Sequence, residues 1–271
     1  MLSGLIGRKI VYSAQDIKDS IEKKANMLKT QITRINDYKR SKKSEYNSVI
    51  PLKIYQTWHS KELPEKMRLA VDRMKRRHPR FEHFLFDDDD CRNFITANFD
   101  ESVLNAFDNI IPGAYKADLW RYCVLYINGG IYLDIKYNCI NTFHFIELTE
   151  KEHWVFDIDG NNIYNALIAV KPRNEICFKC IHQIVTNVEN KYYGGSCVDP
   201  TGPGLVARFV GDAERRNIEL EHIWNKPTGD KFILYKNIAI LKMYTDYYGE
   251  QDRNKKIIHY SVLWSHRRIY K

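Results

Sequence analysis

The sequence predicts an α/β fold, and three of its features predict it. Two strand-like runs, PLKIYQTW from Pro51 and RFEHFLF from Arg80, flank a charged helical stretch, so strand and helix alternate. A long apolar helix, about Ala114 to Ile127, ends in Asn128-Gly129-Gly130 and leads into a further strand pattern, IYLDIKYNCI. The 271 residues are 44% hydrophobic and 28% charged, the composition of a globular chain that can bury a proper core.

Each element has its own local reason. Residues 13–40 read as a charged helix, because Ile21, Ala25, Leu28, Ile32 and Ile35 recur at three- and four-residue spacing. Such a narrow stripe suits a helix lying on the body, a homodimer seam or an acidic partner. SKKSEYNSVIP reads as a linker, which divides the chain into a basic helical extension, 1–48, and one main domain, 49–271. In the main domain a helix is expected from Pro64, well placed in a first turn, through Arg77. RFEHFLF alternates as a strand, and Asp87 to Asp90 form an acidic turn that caps the next helix. IYLDIKYNCI is a strand interrupted near Asp134. WVFDID and IYNALIAV are strand candidates, with Asp157 and Asp159 read as a hairpin turn in preference to a second D-x-D site. NEICFKCIHQIVTNV is an amphipathic helix, TGPGLVARFVGDA a loop running into a helix, and FILYK and IAILKMY late strands. The tail, IIHYSVLWSHRRIYK, is aromatic and basic.

Composition also excludes. No apolar run approaches the roughly 18 residues of a membrane span, and the first residues lack the pattern of a signal peptide. The net charge of +8 invites a nucleic-acid reading. Residues 1–48, however, hold eleven Lys and Arg against five Asp and Glu, so the remaining 223 residues carry only +2. No nucleic-acid motif accompanies the charge. The six cysteines sit in apolar patterns and read as core thiols, including Cys177 and Cys180, whose C-x-x-C lies on a helix and has no zinc-pairing partner motif. A reducing, cytoplasmic or otherwise soluble setting, microbial or viral, is the expectation.

The chemistry concentrates in residues 113–138, GAYKADLWRYCVLYINGGIYLDIKYN. Asp118 and Arg121 stand three apart on a mostly apolar helix, and Asp134 ends the apolar run of the following strand. An acid at the carboxyl end of a strand in an α/β sheet faces the ligand crevice. Carboxylate acceptors and a forked guanidinium suit sugar hydroxyls, and a departing diphosphate needs a divalent cation or a fixed Lys or Arg. Trp58, following the first strand, offers a face to a flat base.

The segments IPLKIYQTWHS, HPRFEHFLFDDDD and above all KADLWRYCVLYINGGIYLD resemble the glycosyltransferases with a DXD-type sugar-binding region, a family that includes initiating α-mannosyltransferases and α-galactosyl and α-N-acetylglucosaminyl transferases and shares its core with glucosylating toxins. The resemblance spans roughly residues 50–210. It implies a GT-A fold, a doubly wound mixed sheet with flanking helices, and retaining transfer of a sugar from a UDP- or GDP-sugar to a hydroxyl of a glycan, protein or lipid. It places Gln56, Thr57 and Trp58 beside base and ribose, Asp118 and Arg121 on the sugar hydroxyls, Tyr132 and Asp134 at sugar and ribose, and Asn165 near the donor sugar. Front-face attack, with the leaving phosphate taking the acceptor proton, needs no dedicated protein base. GT-A enzymes often close a C-terminal segment over the diphosphate, which implies a metal role for His259 and a phosphate contact for Trp264 or Arg267.

One departure matters. The second acid of D-x-D, normally a direct ligand to Mn2+ or Mg2+, is Lys136 here. Three readings stand open. Asp134 holds the metal with other ligands such as His259; Lys136 itself neutralises the diphosphate; or Lys136 simply points elsewhere along the strand, or activity has been lost. The alternatives to an active transferase are a catalytically weak nucleotide-sugar-binding protein and, more remotely, a basic nucleic-acid binder.

Overall fold

The computed structural model describes residues 43, 45–254 and 258–271, without the side chain of Asn254. The helix expected over 13–40, and the homodimer seam it would form, lie outside the described residues.

The α/β expectation holds, with a refinement: the strands form two mixed sheets. The first runs β2 (Glu82–Phe86), β1 (Lys53–Thr57), β3 (Gly130–Leu133), β6 (Leu167–Val170). β1 is parallel to both β2 and β3, and β6 is antiparallel to β3. The second runs β4 (Tyr137–Cys139), β9 (Ile238–Met243), β8 (Asp230–Tyr235), β7 (Leu220–Asn225), β5 (Val155–Phe156). Here only β5 and β7 pair in parallel. The meander β7–β9 is simple hairpin folding. Its first strand, LEHIWN, has no apolar alternation clean enough to announce it in the sequence.

The alternation of side chains assembles three layers. Tyr55, Tyr132, Ile168 and Val170 face a core filled by helices, while Ile54, Ile131, Leu133, Leu167 and Ala169 face a second core shared with Leu220, Ile233, Ile240 and Leu241 of the other sheet. β3 and β6 are buried throughout, which explains why both read as continuous apolar runs.

Two helices start where the sequence reading placed them. α1 (Glu65–Arg77) starts after Pro64 and buries Met67, Ala70, Val71 and Met74, one face at helical spacing. Asp87 caps α2 (Asp88–Asn98) through a reciprocal capping box with Asp90, so the acidic run is structural, as expected. α3 (Glu101–Asn109) is capped by Asp100. α4 (Gly113–Asn128) buries nine residues and packs on α3's neighbour α5 (Glu175–Glu189), whose Cys177 and Cys180 are buried free thiols. Short helices α6 (Pro203–Ala207) and α7 (Asp212–Arg216) follow, then α8 (Tyr247–Asn254) and α9 (Tyr260–Ser265) in the tail. Among the described residues no helix is long and apolar enough to cross a membrane.

The turn from α4 into β3 requires its two glycines. Gly129 has φ +60 and Gly130 φ +107, and a Cβ on Gly130 would stand 2.8 Å from the Lys53 carbonyl oxygen. That close approach seats β3 beside β1 and thereby sets where Asp134 emerges.

Candidate active site

The site lies where the chain changes sheets. After β3 it passes through Asp134, Ile135 and Lys136 and enters the second sheet as β4. After β5 it returns through residues 157–166 and re-enters the first sheet as β6. The Asp134 amide donates to the Ala166 carbonyl at 2.8 Å, so the two crossings are tied together. Asp134 and Trp58 also each follow one of two adjacent parallel strands, β3 and β1, at the point where the strand order reverses from β2 to β3. That is the crevice position of open α/β sheets.

α4 delivers two charges to this place. Asp118 accepts from Asn165 Nδ2 at 2.8 Å and from Thr201 Oγ1 at 2.7 Å, and Arg121 Nη2 stands 3.1 Å away. Arg121 Nη1 donates to the Asn165 carbonyl at 2.6 Å and lies 3.4 Å from Asp134 Oδ1. Its guanidinium sits 4.3 Å from the centre of the Tyr132 ring. Tyr132 Oη donates to Asp134 Oδ1 at 2.8 Å, and Lys136 Nζ donates to Asp134 Oδ2 at 2.5 Å. The network thus joins Asp118, Arg121, Tyr132, Asp134, Lys136 and Asn165, six of the residues singled out from the sequence.

The network has a dry base and a wetter rim. The side chains of Arg121 and Asp118 are 6% and 11% exposed, those of Lys136 and Asp134 16% and 20%. Burial raises the Asp118 carboxyl, against the pull of Arg121, Thr201 and Asn165. Burial also opposes charge on the other three, and there the partners prevail. Lys136 and Arg121 hold Asp134 below the usual carboxylate range; Tyr132, Asp118 and Asp134 hold Arg121 charged; Asp134 raises Lys136. Asp134 is therefore ionised and Lys136 cationic at neutral pH.

The other expected residues have contacts of their own. Gln56 Oε1 meets His83 Nε2 at 2.7 Å and Thr57 Oγ1 donates to the Phe86 carbonyl at 2.9 Å, so both are engaged with β2. Trp58 is 5% exposed and packs with Met67, Val71, Ile135 and Tyr244. A base stacking on it requires this region to open. In the tail, Trp264 Nε1 donates to the Tyr193 carbonyl at 2.6 Å, and His259 caps α9 by accepting from the Ser261 amide. α9 does approach α4, with the Tyr260 and Tyr115 rings 5.6 Å apart. Asp159 accepts from the amides of Asn161 and Asn162, which bears out the turn reading of that segment.

Three participants escaped sequence reasoning. Thr201 enters through its hydroxyl, from a segment that reads in sequence only as a loop running into a helix. Tyr164 shares a 2.9 Å hydrogen bond with Tyr137, and its ring stacks on His222 at 3.7 Å. His222 Nδ1 in turn meets Asp157 Oδ1 at 2.9 Å. His222 lies on β7, a strand with no signal in the sequence.

A divalent cation fits these residues poorly. Mg2+ and Mn2+ favour carboxylate oxygens, and among the described residues no group of three His, Cys, Asp or Glu side chains converges. Both Asp134 oxygens already accept hydrogen bonds, and an ammonium occupies the place of the second acid. His259 meets its helix cap through Nδ1.

Residues 64–154 match the family model described as glycosyltransferase sugar-binding region containing DXD motif. Over this segment the chain is similar to that family. The sugar-binding region holds Asp118, Arg121, Tyr132, Asp134 and Lys136, while Asn165, Thr201 and His222 lie beyond it. Across more of the chain, similarity extends to inositol phosphoceramide mannosyltransferase 3 of Schizosaccharomyces pombe, 28% identical over 201 residues, 72% of this chain and 55% of that protein. Inositol phosphoceramide mannosyltransferase 2 of the same organism is 36% identical over 180 residues, 66% of this chain and 50% of that protein. The chain thus spans about half the length of these curated relatives. Among solved structures, the PaToxG glycosyltransferase aligns with a TM-score of 0.48 at 17% identity, covering 74% of this chain and 83% of that one.

Proposed function

We propose that this chain transfers a hexosyl group from a UDP- or GDP-sugar to a hydroxyl acceptor within a GT-A type domain. The observation that carries the reading is the Asp118–Arg121–Asp134 network, built inside a sugar-binding region at the carboxyl end of β3. The acceptor oxygen bonds to the anomeric carbon, the bond from that carbon to the phosphate oxygen breaks, and the acceptor proton passes to the departing phosphate. Transfer with retention on one face suits a site where every acidic group is already paired and none is poised as a free base.

The chain's own residues divide the work. Asp134, ionised and at the rim, accepts from sugar hydroxyls. Arg121 holds Asp134 in place and lends positive potential toward the diphosphate. Asp118 and Asn165 hold Arg121, and Thr201 holds Asp118. Fixed, preorganised charges of this kind stabilise a leaving group without reorganising during reaction. The names of the relatives make mannose the first sugar to test and an inositol-bearing lipid the first acceptor. The decisive measurement is turnover of a panel of UDP- and GDP-hexoses, alone and with acceptor. Turnover of one donor sustains the reading, and absence of both turnover and donor binding across the panel overturns it.

A further inference from the structure

We propose that the Lys136 ammonium is the resident cation of this site, taking the donor's diphosphate in the role a divalent metal fills beside a D-x-D pair. The inference rests on the glycosyl-transfer reading and deepens it.

Charge balance carries the first part. Replacing a carboxylate by an ammonium changes the site by two positive charges, the same change that a bound divalent ion makes to a site with two acids. Lys136 without metal therefore presents the same net charge to a diphosphate as an aspartate with metal. A divalent ion added beside Lys136 would meet an ammonium 2.5 Å from Asp134 Oδ2, at the carboxylate it needs.

Geometry carries the second part. The ammonium is held at a fixed place. Asp134 pairs with it, and the rings of Tyr137 and Tyr164 lie 5.5 and 5.4 Å from it. The two phenols are joined at 2.9 Å, and Tyr164 lies flat on His222, which Asp157 holds through Nδ1. This chain of contacts reaches from the second sheet to the rim and restrains a side chain that is ordinarily flexible. Its side chain is 16% exposed, at the wetter rim of the network, the side from which phosphate oxygens would approach. Lysine binds phosphate as a point charge, and a preorganised one loses less entropy on binding.

The test is calorimetric titration of the full chain with UDP and with GDP, in EDTA and in Mn2+, for the wild type, Lys136→Met and Lys136→Asp. Mn2+ paramagnetic resonance, recorded with nucleotide present, reports ion binding directly. The wild type is expected to bind one nucleotide with a Kd that changes less than about threefold between EDTA and Mn2+. Lys136→Met is expected to weaken binding by about tenfold or more in both, the loss of a charge-assisted contact. Lys136→Asp, which restores two acids, is expected to bind only with Mn2+ and to immobilise it. Wild-type binding that depends on Mn2+, or Lys136→Met binding like the wild type in EDTA, overturns the inference while leaving glycosyl transfer standing. Failure of both nucleotides in every condition overturns the two together. Should Lys136→Met fail to fold, the wild-type comparison between EDTA and Mn2+ decides alone.

Discussion

Asn165 ties itself to Asp118 by a 2.8 Å hydrogen bond from its side chain, while its own carbonyl accepts Arg121 at 2.6 Å. One residue on the returning crossing thereby orients both members of the α4 ion pair. Thr201 closes the remaining side of Asp118.

Asp118 is accordingly a structural risk. Asp118→Ala leaves Arg121 buried with Asp134 as its remaining carboxylate. The expected cost is about 3–5 kcal/mol, the range for breaking a buried pair on one side. Chemical denaturation checks it. Asn165→Ala, which spares the charges, should cost less than half as much, and equal costs would mean that Arg121 does not depend on Asp118.

Asp134 is exposed enough to be removed without collapse. Asp134→Ala is expected to lower donor turnover by about a hundredfold or more, the scale of a lost preorganised electrostatic group, with an unchanged circular dichroism spectrum. Turnover within a few-fold of the wild type would remove Asp134 from the chemistry.

Trp58 separates packing from recognition. Trp58→Ala opens a cavity among Met67, Val71, Ile135 and Tyr244 and should cost about 3–5 kcal/mol in thermal or denaturant unfolding. Trp58→Phe keeps most of that packing. If the ring stacks on a base, Trp58→Phe preserves nucleotide Kd within about threefold and Trp58→Ala weakens it. An unchanged Kd in a folded Trp58→Ala confines the residue to the core.

Gly130 is irreplaceable for a backbone reason. Gly130→Ala combines φ +107 with a 2.8 Å approach to the Lys53 carbonyl, so β3 must shift away from β1. A loss of more than about 2 kcal/mol is expected, together with loss of turnover, because Tyr132 and Asp134 move with the strand. Gly160→Ala is the control, since it also has positive φ but open space around it.

Acid should unfold the protein through buried histidines. Burial, with His144 and Arg77 adding to it, pushes His78 down to about 3, and burial with Lys151 pushes His153 down to about 4, from an ordinary 6.5. Below pH 6.5 the unfolded chain takes up protons that the folded chain refuses. Stability from these groups is therefore complete above pH 6.5 and declines as pH falls toward 4 and then 3. The slope is about 1.4 kcal/mol per pH unit for each histidine. Denaturation midpoints at pH 7, 6 and 5 test this, and a flat profile would contradict it.

Much of this candidate site is legible in the sequence. Asp118 and Arg121 at i and i+3, the Gly-Gly turn and the acid ending a strand are local patterns, and local geometry alone brings their side chains near one another. Trp58 was legible as an aromatic after a strand, but its burial depends on α1 and Tyr244, which lie elsewhere in the chain. Lys136 was visible as a substitution; which way it points was not.

The sequence by itself pointed to the α/β alternation, the Asp87 cap, the Gly-Gly turn and six residues of the network, because helix period, strand alternation, glycine φ and short motifs act over a few residues. Tertiary structure decided that the strands split into two sheets and that the chain crosses between them at Asp134 and again at Asn165. It also decided that Thr201 and His222 arrive from distant segments. Thr201 reaches Asp118 across 83 positions, and β7 is held by its pairing with β5 and β8. Pairings over such separations are selected by the burial of whole layers and the satisfaction of buried polar groups, which no short window of residues encodes.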